Sequence, residues 1–120
     1  MSGIIIAPQN LIAVRQGDSF TIYINLKKNC KDIDLTGTVV KMDVREKDSN
    51  VLVFTKTAVD EDITNGKVKI VLTPDDTNRP VKDYSTDIQV QMPDGSIHTI
   101  FPTDINKIGT FRITKQITRD

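Results

Sequence analysis

From Phe20 to Lys27 the chain alternates without a break. Phe20, Ile22, Ile24 and Leu26 fall on one side, and Thr21, Tyr23, Asn25 and Lys27 on the other. A period of two places successive side chains on opposite faces of an extended chain, so this segment is predicted as a half-buried strand. The same alternation puts Val40, Met42 and Val44 opposite Lys41, Asp43 and Arg45. It recurs at Val68, Ile70 and Leu72, and again at Ile88, Val90 and Met92 against Asp87, Gln89 and Gln91. Shorter apolar segments at residues 3–7, 10–15, 51–57, 97–101 and 110–117 read as further strands, with Leu52, Phe54, Phe111 and Ile113 directed inward.

Turn signals separate these segments: Gly17-Asp18, Asp34-Leu35-Thr36-Gly37, Asp48-Ser49-Asn50, Asn65-Gly66 and Pro93-Asp94-Gly95-Ser96. Asn65-Gly66 is a hairpin signal, because both residues tolerate positive φ. Thr73-Pro74-Asp75-Asp76-Thr77-Asn78 predicts one short helical turn, with Thr73 as N-cap and Pro74 at the first position. The polar stretch 28–36 is expected to be a loop. Alternation implies one buried and one solvated face per strand. Two stacked antiparallel sheets around a single core satisfy this, with a closed barrel as the second choice. The expected fold is thus an all-β antiparallel sandwich of seven to nine strands, one domain spanning 1–120. Residues 1–9 form a candidate N-terminal arm. There Ile4, Ile5 and Ile6 either start the chain's own sheet or act as assembly contacts against a neighbouring subunit.

Composition strengthens the all-β reading. The chain holds 16 Ile, 14 Thr and 11 Val but only three Ala, five Leu and two Glu. β-Branched side chains suit a pleated surface, whereas Ala, Leu and Glu favour helices. Sixteen basic and sixteen acidic residues leave no net charge. Nucleic-acid binders need a concentrated basic face, so no nucleic-acid partner is expected. The longest apolar runs are too short to span a bilayer as a helix, and no membrane partner is expected. No basic, then apolar, then small-residue succession opens the chain, so no secretory signal is expected.

Candidate chemistry is sparse. Cys30 and His98 are the sole cysteine and histidine, so an intrachain disulfide and a Cys/His zinc site are both ruled out. His98 alternates with neighbours on a predicted strand and reads as a surface residue. Lysines flank Cys30 and could lower its pKa, but a loop thiol without a role is the expectation. Asp60-Glu61-Asp62 and Asp75-Asp76 could offer oxygen ligands to calcium. Neither has the alternating ligands, central Gly and terminal Glu of a calcium loop, and both read as solvated turn acids. The C-terminal Lys107, Arg112, Lys115 and Arg119 form a mild basic bias on a predicted edge. The chain is therefore expected not to be an enzyme and to need no cofactor. A sugar-binding sandwich would want aromatic platforms, and here the only Tyr residues are Tyr23 and Tyr84, with no Trp.

The order of motifs carries a resemblance. Arg15-Gln16-Gly17-Asp18-Ser19-Phe20 enters a strand. Asp34-Leu35-Thr36-Gly37 precedes a strand ending in Val44-Arg45, and Asn65-Gly66-Lys67-Val68 leads to Leu72-Thr73. Tyr84 and Asp87-Ile88-Gln89-Val90 come before Asp94-Gly95 and Thr99-Ile100, and Gly109-Thr110-Phe111-Arg112-Ile113 closes the series. This succession resembles the immunoglobulin-like domains of tailed bacteriophages, and is similar to the N-terminal domain of phage upper baseplate proteins. The likeness covers nearly the whole chain. One departure is Pro102-Thr103-Asp104-Ile105-Asn106-Lys107-Ile108, which stands where a short Gly turn is expected. The resemblance implies a virion structural protein of tail, baseplate or neck. Its partners would be other virion proteins and further copies of itself, and it would be assembled in the host bacterial cytoplasm. A glycan-binding adhesion module of the virion is the alternative.

Overall fold

The computed structural model describes residues 2–4, 11–28, 31–102 and 108–115, with backbone alone for 2–4 and 28. The strict alternators form the strands they predict. β1 (Ser2–Ile4), β3 (Phe20–Asn25), β8 (Val59–Asp62) and β9 (Lys67–Leu72) make a four-stranded sheet in the order β1-β3-β9-β8. β2 (Leu11–Arg15), β6 (Val39–Arg45), β7 (Leu52–Thr57), β10 (Asp83–Gln91) and β12 (Gly109–Thr114) make a second sheet in the order β2-β12-β10-β6-β7. β11 (Ile97–Phe101) joins the second sheet by pairing with β10. β4 (Lys27–Lys28) and β5 (Lys31–Asp32) form a separate ribbon.

This is an immunoglobulin-like sandwich, with β1-β3-β9-β8 in the place of strands A-B-E-D and β12-β10-β6 in that of G-F-C. The core lies between the sheets. Ile22 and Ile24 of β3 and Val68, Ile70 and Leu72 of β9 face Val40, Met42 and Val44 of β6, Tyr84, Ile88 and Val90 of β10, and Phe111 and Ile113 of β12. The chain's first two strands lie in different sheets, and each pairs in parallel, β1 with β3 and β2 with β12. Nine-residue β10 outlasts its neighbours. One flank pairs with β6 at Ser85–Gln91; the other pairs with β12 at Asp83–Thr86 and with β11 at Ile88–Gln91.

A lone cysteine leaves no intrachain disulfide, and buried side-chain hydrogen bonds fix β10 to its own corner and to β6 of the same sheet. The Tyr84 hydroxyl, buried at the start of β10, donates to the Pro80 carbonyl at 2.8 Å. This is the tyrosine corner of immunoglobulin-like sandwiches. Two residues on, where antibody domains carry their second cysteine, buried Thr86 donates to the Asp43 carbonyl at 2.6 Å. α1 (Pro74–Thr77) forms as predicted, with Thr73 as N-cap in a reciprocal capping box with Asp76. Thr77 is fully buried, and its hydroxyl donates to the Asp18 carbonyl at 2.7 Å, tying this corner to the β2–β3 turn.

Asp76 also accepts from Lys56 of β7 at 2.8 Å, closing the open side of the sandwich. Burial by itself raises the Asp76 pKa. The bonds from Lys56 and from the Thr73 N–H and hydroxyl outweigh it, and the net direction is downward. A carboxylate with a depressed folded pKa stabilises the fold above its unfolded pKa, and that stability is lost as pH falls through the folded one. Asp76→Asn should therefore destabilise by about 1–2 kcal/mol at neutral pH. The gap to wild type should close on acidification below the ordinary carboxylate range. Urea denaturation at several pH values checks this, and a gap unchanged between neutral pH and about pH 2 would contradict it.

Three expectations are corrected. Leu52 does not point inward and is 47% exposed. A bulge pairs Val44 with Phe54 but Arg45 with Leu52, so Val53 is an extra residue and Leu52 shares the outward face of Arg45. The hairpin at Asn65-Gly66 joins antiparallel β8 and β9 as expected, through a 3₁₀ turn at Ile63–Asn65 with Gly66 alone in the left-handed region, at φ 74°. The stretch 28–36 is not simply a loop: β5 lies within it, and Leu35 is buried in the core. Acidic Asp60-Glu61-Asp62, read as a turn, lies in the edge strand Val59–Asp62 paired with β9.

Candidate assembly surfaces

An all-β sandwich meets its surroundings through the two outer sheet faces and the edge strands. The outer face of the larger sheet largely satisfies its own charges. Arg112 donates to Asp83 at 2.8 and 3.2 Å, and Arg45 reaches Asp43 at 3.5 Å, while Thr55 donates to Asp43 at 2.8 Å. Of the basic residues expected along the last strand, Arg112 is therefore neutralised by Asp83. Asp87 lies directly opposite Asp43 in the ladder. Burial first, and the Asp43 charge second, raise its pKa.

The outer face of the smaller sheet exposes apolar side chains, as the larger sheet does at Val39, Leu52 and Ile97. Tyr23, Lys69 and Val59 form one row across β3, β9 and β8, and Ile4 of β1 holds the next register position beside Tyr23. Val71 sits in the neighbouring row, opposite Thr21. Tyr23, Val71 and Val59 are 36, 40 and 49% exposed. These are large apolar side chains gathered on one face.

The remaining candidates separate. Tyr84 is buried and its hydroxyl is engaged, so it offers no sugar platform; Tyr23 is the exposed tyrosine. A Tyr at the start of a late strand, four residues after Pro80, was the available signal for the tyrosine corner. His98 is exposed on β11, opposite Val90. Asp60, Glu61 and Asp62 are all exposed along β8, and Asp76 is committed to its cap. Among the described residues no three His, Cys, Asp or Glu side chains come together as a metal site. Ile5, Ile6, Cys30, Lys107 and Arg119 lie outside the described residues. An open groove of about 460 Å³ between β2 and β3 is lined by Ala13, Val14, Phe20, Arg15 and Asp18 among others.

The profile of the BppU N-terminal domain matches residues 6–101 of this chain. The chain belongs to the BppU N-terminal domain family. That is the N-terminal domain of the phage baseplate upper protein, and membership supports a virion structural role. The fold is similar to the N-terminal domain of phage TP901-1 ORF48, at 16% identity and TM-score 0.53, over 96% of this chain and 94% of that one. CopC from Methylosinus trichosporium OB3b aligns at 10% identity and TM-score 0.49, over 95% of this chain and 93% of that one. Murine CRIg aligns at 14% identity and TM-score 0.42, over 89% and 92%. No curated protein matches the chain.

Proposed function

We propose that this BppU N-terminal domain is a non-enzymatic building block of a phage baseplate, acting by docking to other virion proteins and to further copies of itself. The observation that carries the reading is family membership across residues 6–101. The surfaces support it: one outer face gathers exposed apolar side chains, which on a sheet face are suited to protein contact. Assembly belongs to the host bacterial cytoplasm, a compartment that suits a chain whose single cysteine can form no intrachain disulfide.

Mass spectrometry of purified particles tests the role, and the chain is expected among the virion proteins. Its absence from particles that carry a complete baseplate would overturn the reading. The N-terminal arm is tested separately. Ile4, Ile5 and Ile6 are proposed as contacts to a neighbouring subunit, although Ser2–Ile4 also pairs with β3. Deleting residues 2–7 should remove self-association while the far-ultraviolet spectrum stays that of a β protein. Loss of folding instead would assign the segment wholly to the chain's own sheet.

A further inference from the structure

We infer that Asn65 is a site of spontaneous deamidation, that opening of the β8–β9 corner gates the reaction, and that its isoaspartate product cannot regain the native corner. The inference stands apart from the virion role. Asn65 is the one asparagine of the sequence that is followed by glycine. Attack of a backbone nitrogen on the preceding asparagine side chain is least hindered when the attacking residue has no Cβ. The deprotonated Gly66 nitrogen bonds to Asn65 Cγ, the Cγ–Nδ2 bond breaks, and the released nitrogen takes up a proton and leaves as ammonia. Water then opens the five-membered succinimide at either carbonyl. Attack at Cγ gives aspartate. Attack at the main-chain carbonyl gives isoaspartate, whose backbone runs through the side chain and carries one extra carbon.

Asn65 is exposed to water, but the fold withholds the nucleophile. Ring closure needs the Gly66 nitrogen turned toward the Cβ side of Asn65. The 3₁₀ turn at Ile63–Asn65 keeps ψ at roughly −20 to −30°, far from that rotation. Gly66 is buried, and its N–H already donates to the Ile63 carbonyl at 3.2 Å, which resists deprotonation. Asn65 Nδ2 donates to the Asp62 carboxylate at 2.9 Å, which draws the side chain back along the turn. The peptide between the two residues is also held. The Gly66 carbonyl accepts from the Leu26 N–H at 2.8 Å, and a Cβ on Gly66 would lie 2.5 Å from the Leu26 carbonyl oxygen and 2.9 Å from that of Ile33. The reaction therefore waits for these contacts to open, and its rate in the folded protein is the unfolded rate multiplied by the open fraction. The same close approach makes the change one-way. An extra backbone carbon lengthens the turn, and Gly66 has no space into which to shift. The aspartate product keeps the native backbone and fits.

Incubating the wild-type chain in mildly alkaline buffer, native and in guanidinium chloride, tests the gate. Mass spectrometry of the peptide holding residue 65 follows the exchange of amide for carboxyl. A protease that cuts before aspartate but not before isoaspartate tells the products apart. The unfolded chain should convert at least about a hundredfold faster than the folded one. Asp62→Ala frees the side chain and leaves the backbone bonds, so its folded rate should stay within about tenfold of folded wild type. Returned to native buffer, the aspartate product should show a urea midpoint close to wild type, and the isoaspartate product a lower midpoint or no folding. The proposal is overturned if folded wild type reacts within about tenfold of the unfolded rate, or if neither state reacts. It is equally overturned if Asp62→Ala reacts at the unfolded rate while its circular dichroism remains that of a β protein, or if the isoaspartate product regains the wild-type midpoint.

Discussion

Phe111→Ala is expected to lower stability by about 3–5 kcal/mol, among the largest effects of any single truncation in this domain. Phe111 is fully buried on β12. Its ring meets Phe54 edge-on, with centroids 5.9 Å apart and planes at 83°, and lies 6.4 Å from the Tyr84 ring. Phe54 in turn carries the Arg79 guanidinium 5.1 Å above its face. One ring thus links β12, β7 and β10 with the corner that holds α1. Removing it deletes transfer energy and leaves a cavity that strands tied by ladders on both sides cannot collapse to fill. The melting temperature should fall by roughly 10–25 °C. Phe111→Leu, which keeps most of the volume, should cost less than about 2 kcal/mol. Thermal and urea denaturation measure both. A loss below about 1 kcal/mol for the alanine variant would mean that the aromatic cluster does not organise the core as described.

The parts of the fold legible in the sequence are those set by local chemistry. β3, β6 and β10 alternate strictly because each has one buried and one solvated face, and those strands form with the expected residues inside. Thr73-Pro74 at the start of α1 was equally legible, since a cap and a proline act within four residues. What escaped depends on partners distant in sequence. Leu35 stands alone among polar neighbours, so no period reveals that it joins the core. Leu52 was misplaced because the alternation of 51–57 breaks at Val53, and a bulge is defined by the opposite strand rather than by its own residues. The acidic run 59–62 has poor strand propensity and owes its pairing to β9. The parallel pairings of β1 and β2 arise from two sheets offering edges to one N-terminal stretch.

The candidate surface was less legible than the fold. Tyr23 and Tyr84 looked equivalent as sugar platforms, and only three-dimensional packing separates them. One is an exposed member of a row with Lys69 and Val59, and the other is a buried hydrogen-bond donor that fixes a corner. The zero net charge also concealed local pairing. On the outer face of the larger sheet Arg112 closes with Asp83 and Arg45 with Asp43, across distances in sequence or register that composition does not show. Such an arrangement is a property of register, and composition averages it away.

Gly66→Ala is expected to destabilise by about 3 kcal/mol or more, for two separable reasons. Gly66 follows the 3₁₀ turn with φ at +74°, where a Cβ is strained by about 1–2 kcal/mol. It is also a point of close approach. An added Cβ would lie 2.5 Å from the Leu26 carbonyl oxygen and 2.9 Å from that of Ile33. Both are backbone atoms and cannot swing aside. The segment they belong to is fastened here, with Leu26 N–H donating to the Gly66 carbonyl at 2.8 Å, Ile33 N–H to Leu26 at 3.1 Å and Leu35 N–H to Ile63 at 2.9 Å. Pushing that segment outward would break these bonds and uncover Leu35, whose burial contributes about 1.5–3 kcal/mol. Gly95 provides the control. Its φ is +90°, yet an added Cβ would meet nothing within 4 Å. Gly95→Ala should therefore show backbone strain alone, about 1–2 kcal/mol. Urea denaturation of the two variants separates the contributions, and equal losses would eliminate close packing of the 26–35 segment on Gly66 as a source of stability.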